Sequence, residues 1–142
     1  MEKKMFKKDG KKSEKDVGFA EDSFEGLKQS CGYEAHAHAH VVINQSIENI
    51  KEYNQARGER TLLMKVVIKH MDAELTNQRW CQLKHCCTAA MHIQELSARL
   101  VSLKELDLES ISFLAILHRN YFLIYLKLLG VTEENMGSPS TA

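Results

Sequence analysis

Between Thr61 and Leu129 the chain contains neither glycine nor proline. A run of that length without turn residues reads as helix, because strands need Gly, Pro, Asn or Asp clusters to connect them. The aromatic content of 7% and the single proline, Pro139, agree with a helical chain rather than a turn-rich β fold. The class expected is all-α. With 142 residues there is room for one domain, compact or elongated.

Apolar spacing divides the helical region. From Ile43 a heptad register runs through Ile47, Ile50, Asn54, Arg57, Thr61, Met64, Ile68, Met71, Leu75, Gln78 and Gln82, in steps of four and three. It is polar at Asn54, Arg57 and Thr61, with Gly58 among them. One reading is a continuous helix carrying Gly58 at a cost of about 1 kcal/mol, with Asn54 as a polar layer. The favoured reading is a hairpin in which Gly58 ends one helix and Thr61 caps the next. Beyond Gln82 the apolar positions resume at Cys86, Ala89, Ile93, Leu96, Leu100 and Leu103, a stutter that relaxes a left-handed supercoil. Helices are thus expected over 35–57, 61–105 and 108–129, forming one helical domain over 35–130. The arrangement expected is an elongated three-helix protein with a coiled-coil-like seam.

The last of these helices is the most distinctive. Asp107 is a suitable N-cap, Glu109 suits the positive end of the helix dipole, Leu106 can staple against Ile111, and Gly130 follows the last turn as a C′ residue. Between those signals lie Phe113, Leu117, Tyr121, Phe122, Tyr125 and Leu128 among apolar residues that cover nearly the whole circumference. A helix apolar all round calls for burial. A bilayer is a poor host, because His118, Arg119 and Asn120 would lie near its midplane, where an arginine alone costs at least ~2.5 kcal/mol. A protein interior shared between the long helix and another chain is the better one.

The N-terminal region reads differently. Lys3, Lys4, Lys7, Lys8, Lys11, Lys12 and Lys15 crowd a stretch with little apolar content, and Gly18, Gly26 and Gly32 punctuate the segment from Asp16 to Gly32. Residues 1–34 are therefore expected to be a disordered lysine-rich tail and linker, and 131–142 a second disordered tail. No apolar segment follows the first lysines as a signal peptide requires, and four cysteines without a framework spacing point to a reducing compartment, cytoplasm or nucleus.

Candidate chemistry is sparse. His36, His38 and His40 alternate with alanine; an extended strand would place all three on one face, and a helix would pair only His36 with His40. With Cys31 they are weak candidates for a metal site, since a fourth ligand and a closing turn are missing, and an alanine-rich helix with solvated histidines is the plainer reading. A polar stripe through Cys81, His85 and His92 lacks the oxyanion donors and enclosing pocket that nucleophilic catalysis needs. No enzyme, cofactor or small-molecule substrate is expected. Nineteen basic and nineteen acidic side chains balance, so nucleic acid is disfavoured as a partner. The expectation is a non-enzymatic interaction module, a small subunit or adaptor meeting a protein partner or its own copies through apolar helix faces. Trp80 and the apolar residues of the last helix are the interface candidates. A metal-binding protein and a membrane tether built on the lysine tail and last helix are the alternatives.

Overall fold

The computed structural model describes residues 12–103 and 107–132. Among these the fold is all-α, with four helices: α1 Glu14–Ile43, α2 Ile47–His70, α3 Asn77–Val101 and α4 Leu108–Leu128. Helix α1 packs against all three others, while α1 with α2 and α3 with α4 make the two most extensive pairs. The arrangement is a helical bundle with four members where three were expected.

The expected linker is most of α1. Ser13 begins it with a capping box: its hydroxyl accepts from the Asp16 backbone N–H at 3.1 Å, and the Asp16 carboxylate accepts from the Ser13 N–H at 3.1 Å. Val17, Ala20, Phe24, Leu27, Cys31 and Glu34 then follow in steps of three and four, all buried. Fully burying a side chain such as Phe24 or Leu27 contributes about 1.5–3 kcal/mol, which outweighs the roughly 0.5–1 kcal/mol that each helical glycine costs. Gly32 has a positive role in packing. A Cβ placed there would lie 2.8 Å from Met91 Cγ, so the missing side chain lets α1 approach α3. The lysine-rich residues 1–11 lie outside the described residues, as do 133–142 of the expected C-terminal tail; Val131, just before them, is buried.

The helix boundaries also move. Gly58 does not divide the chain: α2 runs through it, with nothing within 4 Å of a Cβ added there. The turn falls instead at 44–46, where Ser46 caps α2 by accepting from Asn49 N at 3.1 Å. The long helix expected over 61–105 is broken at 71–76. There Asp72 takes φ 52° as the C′ residue, its N–H donates to Lys69 O at 3.1 Å, and Ala73 N donates to Ile68 O at 3.1 Å. Aspartate is one of the few non-glycine residues that enters this left-handed region readily. Thr76 then caps α3 by accepting from Arg79 N at 3.2 Å.

Helix α4 begins and ends as expected. Asp107 accepts from Ser110 N at 3.0 Å and from Ser110 Oγ at 2.6 Å. These bonds, the hydroxyl's first, hold its carboxyl below the ordinary carboxylate range. Gly130 sits at φ 85° and Val131 N closes onto Leu126 O at 2.9 Å. The Leu106 half of the expected staple lies outside the described residues.

One core joins the four helices. Phe24 is at its centre, with ring centroids 4.9 Å from Phe122 and 5.0 Å from Tyr125. Leu27, Met64, Val67, Met71, Leu83, Cys87, Leu126 and Leu129 pack around it. The heptad register read from Ile43 holds at Met64 and Met71 but fails before them: Ile43, Ile47 and Ile50 are exposed, and α2 buries Ala56 and Arg60 instead of Arg57.

Candidate interaction site

Helix α4 is where the sequence asks for burial most strongly, and it receives little. Its only buried residues are Tyr125 and Leu126. An inner seam of Ile111, Leu114, His118, Tyr121, Tyr125 and Leu128 is at least half-buried, and a second stripe points away from it: Phe113 is 59% exposed, Ile116 56%, Leu117 45% and Ile124 45%. None of residues 95–103, at the end of α3 and just beyond it, or of residues 108–117 on α4 is buried. Leu96, Val101, Leu103 and Leu108 add to the apolar surface of this arm.

The expected interface residues therefore separate. Phe113 and Leu117 are on the open stripe. Tyr121, Phe122 and Leu128 are half-buried against the core, and Trp80, in the first turn of α3, packs there as well. Tyr125 is fully buried, and its phenol shares a 2.6 Å hydrogen bond with Ser23 Oγ. Burial drives that phenol's pKa up, against the opposing effect of the serine. Tyr125 is a core residue of the monomer, as its place among Phe24 and Leu126 requires. Ile116, Ile124 and Leu96 escape a sequence-based choice of interface residues because nothing in the apolar pattern of α4 says which side α1 occupies.

Where the arm joins the bundle, a buried ammonium pins it. Lys28 on α1 is within 2.8 Å of Gln94 Oε1 on α3, 3.0 Å of His118 Nε2 on α4 and 2.9 Å of Glu25 Oε2, and lies 5.1 Å from the Phe24 ring centroid. Three acceptors match the three donors of an ammonium. Burial first, and then the positive charge of Lys28, lowers the pKa of His118, which keeps its ring neutral and able to accept. Beside this contact Ile93, Ser97, Leu114 and Ala115 line a shallow cleft of about 310 Å3 between α3 and α4.

A second buried polar group ties α1 to α2. Arg60 Nε donates to Glu34 Oε1 at 2.7 Å, and Lys84 Nζ lies 3.5 Å from Glu34 Oε2. Among the described residues no buried side-chain nitrogen or oxygen lacks a partner.

The histidines fall on a helix, so they do not share one face. His36 and His40 have ring centroids 4.4 Å apart, His38 packs on Tyr53 at 5.0 Å, and His40 Nδ1 lies 3.1 Å from Glu52 Oε1. Cys31 points into the bundle, its thiol 3.8 Å from Lys84 O. Among the described residues no three His, Cys, Asp or Glu side chains are grouped to hold a metal ion, and no helix is long and apolar enough to cross a membrane. No family model, curated protein or solved structure matches this chain.

Proposed function

We propose that this protein is a helical interaction module, a small subunit or adaptor of a larger cytoplasmic or nuclear assembly, and that the α3–α4 arm is its docking element. The observation that carries this reading is the open stripe of Phe113, Ile116, Leu117 and Ile124 on a helix anchored at its C-terminal end. Large exposed apolar patches on a folded domain mark interaction surfaces. The stripe's spacing, three and four residues from Phe113 and then seven from Leu117 to Ile124, keeps it on one helix face and suits the groove-and-ridge packing of a partner helix. The base of the arm is held by Lys28, Gln94 and His118, so the stripe is presented without first having to be ordered, and the entropy cost of docking is reduced.

Leu117→Glu together with Ile124→Glu tests the reading. Both side chains are half-exposed, so the helical circular dichroism and thermal unfolding of the double variant should match those of the parent. Sedimentation velocity of the purified chain distinguishes self-association from a monomer, and affinity purification from cells identifies a different partner. The proposal requires that the double variant lose whichever complex the parent forms. A complex retained undiminished by the variant would remove the arm from the interface.

A further inference from the structure

The histidines near the end of α1 have no part in the arm, and the fold sorts them. Cys31 turns into the bundle, and His38 packs on Tyr53 on the other side of the helix from its two neighbours, so both leave the set of candidate ligands. His36 and His40 remain, four residues apart on one face. His36 is exposed and His40 half-buried, and their ring centroids are 4.4 Å apart with 69° between the planes. With metal–nitrogen bonds of about 2.0–2.1 Å, two imidazoles in adjacent positions of one ion have centroids roughly 4.5 Å apart at a right angle and roughly 5.2 Å apart in a tetrahedron. The observed spacing is close to the right-angled value, which belongs to octahedral and square-planar ions. We propose that His36 and His40 chelate a divalent transition-metal ion, nickel(II) or copper(II) before zinc(II), with water in its remaining positions.

Helix α2 prepares His40 for this role. The Nδ1 atom of His40 lies 3.1 Å from Glu52 Oε1. An ionised carboxylate only accepts, so Nδ1 carries the proton and the ring's lone pair is left on Nε2. Metal-ligating histidines give their other ring N–H to a carboxylate in just this way, which fixes the tautomer and makes the ligand more basic. Glu52 is held in turn by the Tyr33 hydroxyl, which donates to Oε2 at 3.4 Å. The backbone of His40 is fixed as well, since Asn49 Nδ2 donates to its carbonyl at 3.2 Å. These contacts exist because the turn at 44–46 brings the start of α2 alongside the end of α1, and the histidine spacing alone does not supply them. Glu52 orients a ligand and is not itself one. The site therefore needs no group of three ligating side chains, and none is present among the described residues.

The test titrates the untagged full-length chain with nickel chloride in a calorimeter at neutral pH. The expected result is one tight ion per chain, bound about tenfold or more weakly by His36→Ala, about tenfold more weakly by Glu52→Gln, and equally well by His38→Ala. His36 and His38 are both exposed, so circular dichroism without metal should be the same for those two variants and the parent. In the parent chain the paramagnetic ion should broaden the ring-proton signals of His36 and His40 before those of His70, His85, His92 and His118. Cys81 and His85, also four apart on α3, are the competing pair. The proposal is overturned by the absence of saturable binding, by undiminished binding in His36→Ala, or by broadening that begins at His85, and the parent-chain spectra decide it even if a variant does not fold.

Discussion

Helices α1 and α4 invert what their compositions suggest. Helix α1 carries three glycines, three histidines and a run of charges, yet buries eight side chains because it packs against every other helix. Helix α4 is apolar nearly all round, yet buries two. Burial is set by how many neighbours an element has, and a helix at the edge of a bundle stays half-exposed however apolar it is. The excess on α4 is therefore surface available to another molecule, and the modest apolar set on α1 is sufficient because all of it is used.

The largest test of this contrast compares phenylalanines. Phe24→Ala in α1 should cost about 3–5 kcal/mol by loss of burial and opening of a cavity, whereas Phe113→Ala in α4 should change stability by no more than about 0.5 kcal/mol. Urea unfolding of the monomer measures both, and equal losses would mean that Phe113 is covered within the monomer.

Next in size is the ion pair at Glu34. Glu34→Ala leaves the buried Arg60 guanidinium with no carboxylate, and should cost roughly 3 kcal/mol in the same assay. A loss below about 1 kcal/mol, the range of exposed pairs, would show that solvent reaches Arg60.

Glycine substitutions probe the packing of α1 more finely. At Gly18 nothing lies within 4 Å of an added Cβ, so Gly18→Ala should stabilise by about 0.5–1 kcal/mol. Gly32→Ala meets Met91 Cγ at 2.8 Å and should destabilise by about 1 kcal/mol or more. Thermal unfolding should move in opposite directions for the two.

The smallest expected effect is the dependence on pH at the base of the arm. The folded pKa of His118 lies below its ordinary 6.5, so the unfolded chain binds the proton more readily. Its contribution to stability is present above that ordinary value and is lost as pH falls through the folded one. His118→Gln keeps an acceptor for Lys28 without a titrating ring, and should flatten the difference in unfolding midpoint between about pH 7 and pH 5. An unchanged slope would place the titration elsewhere.

Some of this architecture is legible in the residues alone. The caps of α4 are local chemistry: Asp107 accepts from Ser110, three residues further on, and Gly130 takes a conformation that few other residues tolerate. The start of α1 is equally local, and Ser13 with Asp16 is a capping box three residues apart; the glycines beyond it point locally toward a linker, and only packing overrides them. The break at 71–76 is concealed because Asp72, without a glycine, supplies the left-handed residue. Gly58 misleads in the opposite sense, since an exposed glycine can be carried by a helix whose other face is packed. At the site, Phe113 and Leu117 can be named from their pattern, but their separation from Tyr125 cannot, because all three belong to the same apolar circumference.

Helicity, the caps of α4 and an apolar content on that helix beyond what one neighbour can cover were determined by the sequence itself, since they depend on spacings of a few residues along one chain. Which face of each helix is buried, that α1 is the central element, that Lys28 meets Gln94 and His118, and that Arg60 meets Glu34 were decided only by the tertiary structure. These contacts join residues far apart in the chain, and no local preference specifies which of several apolar stripes a neighbouring helix will occupy.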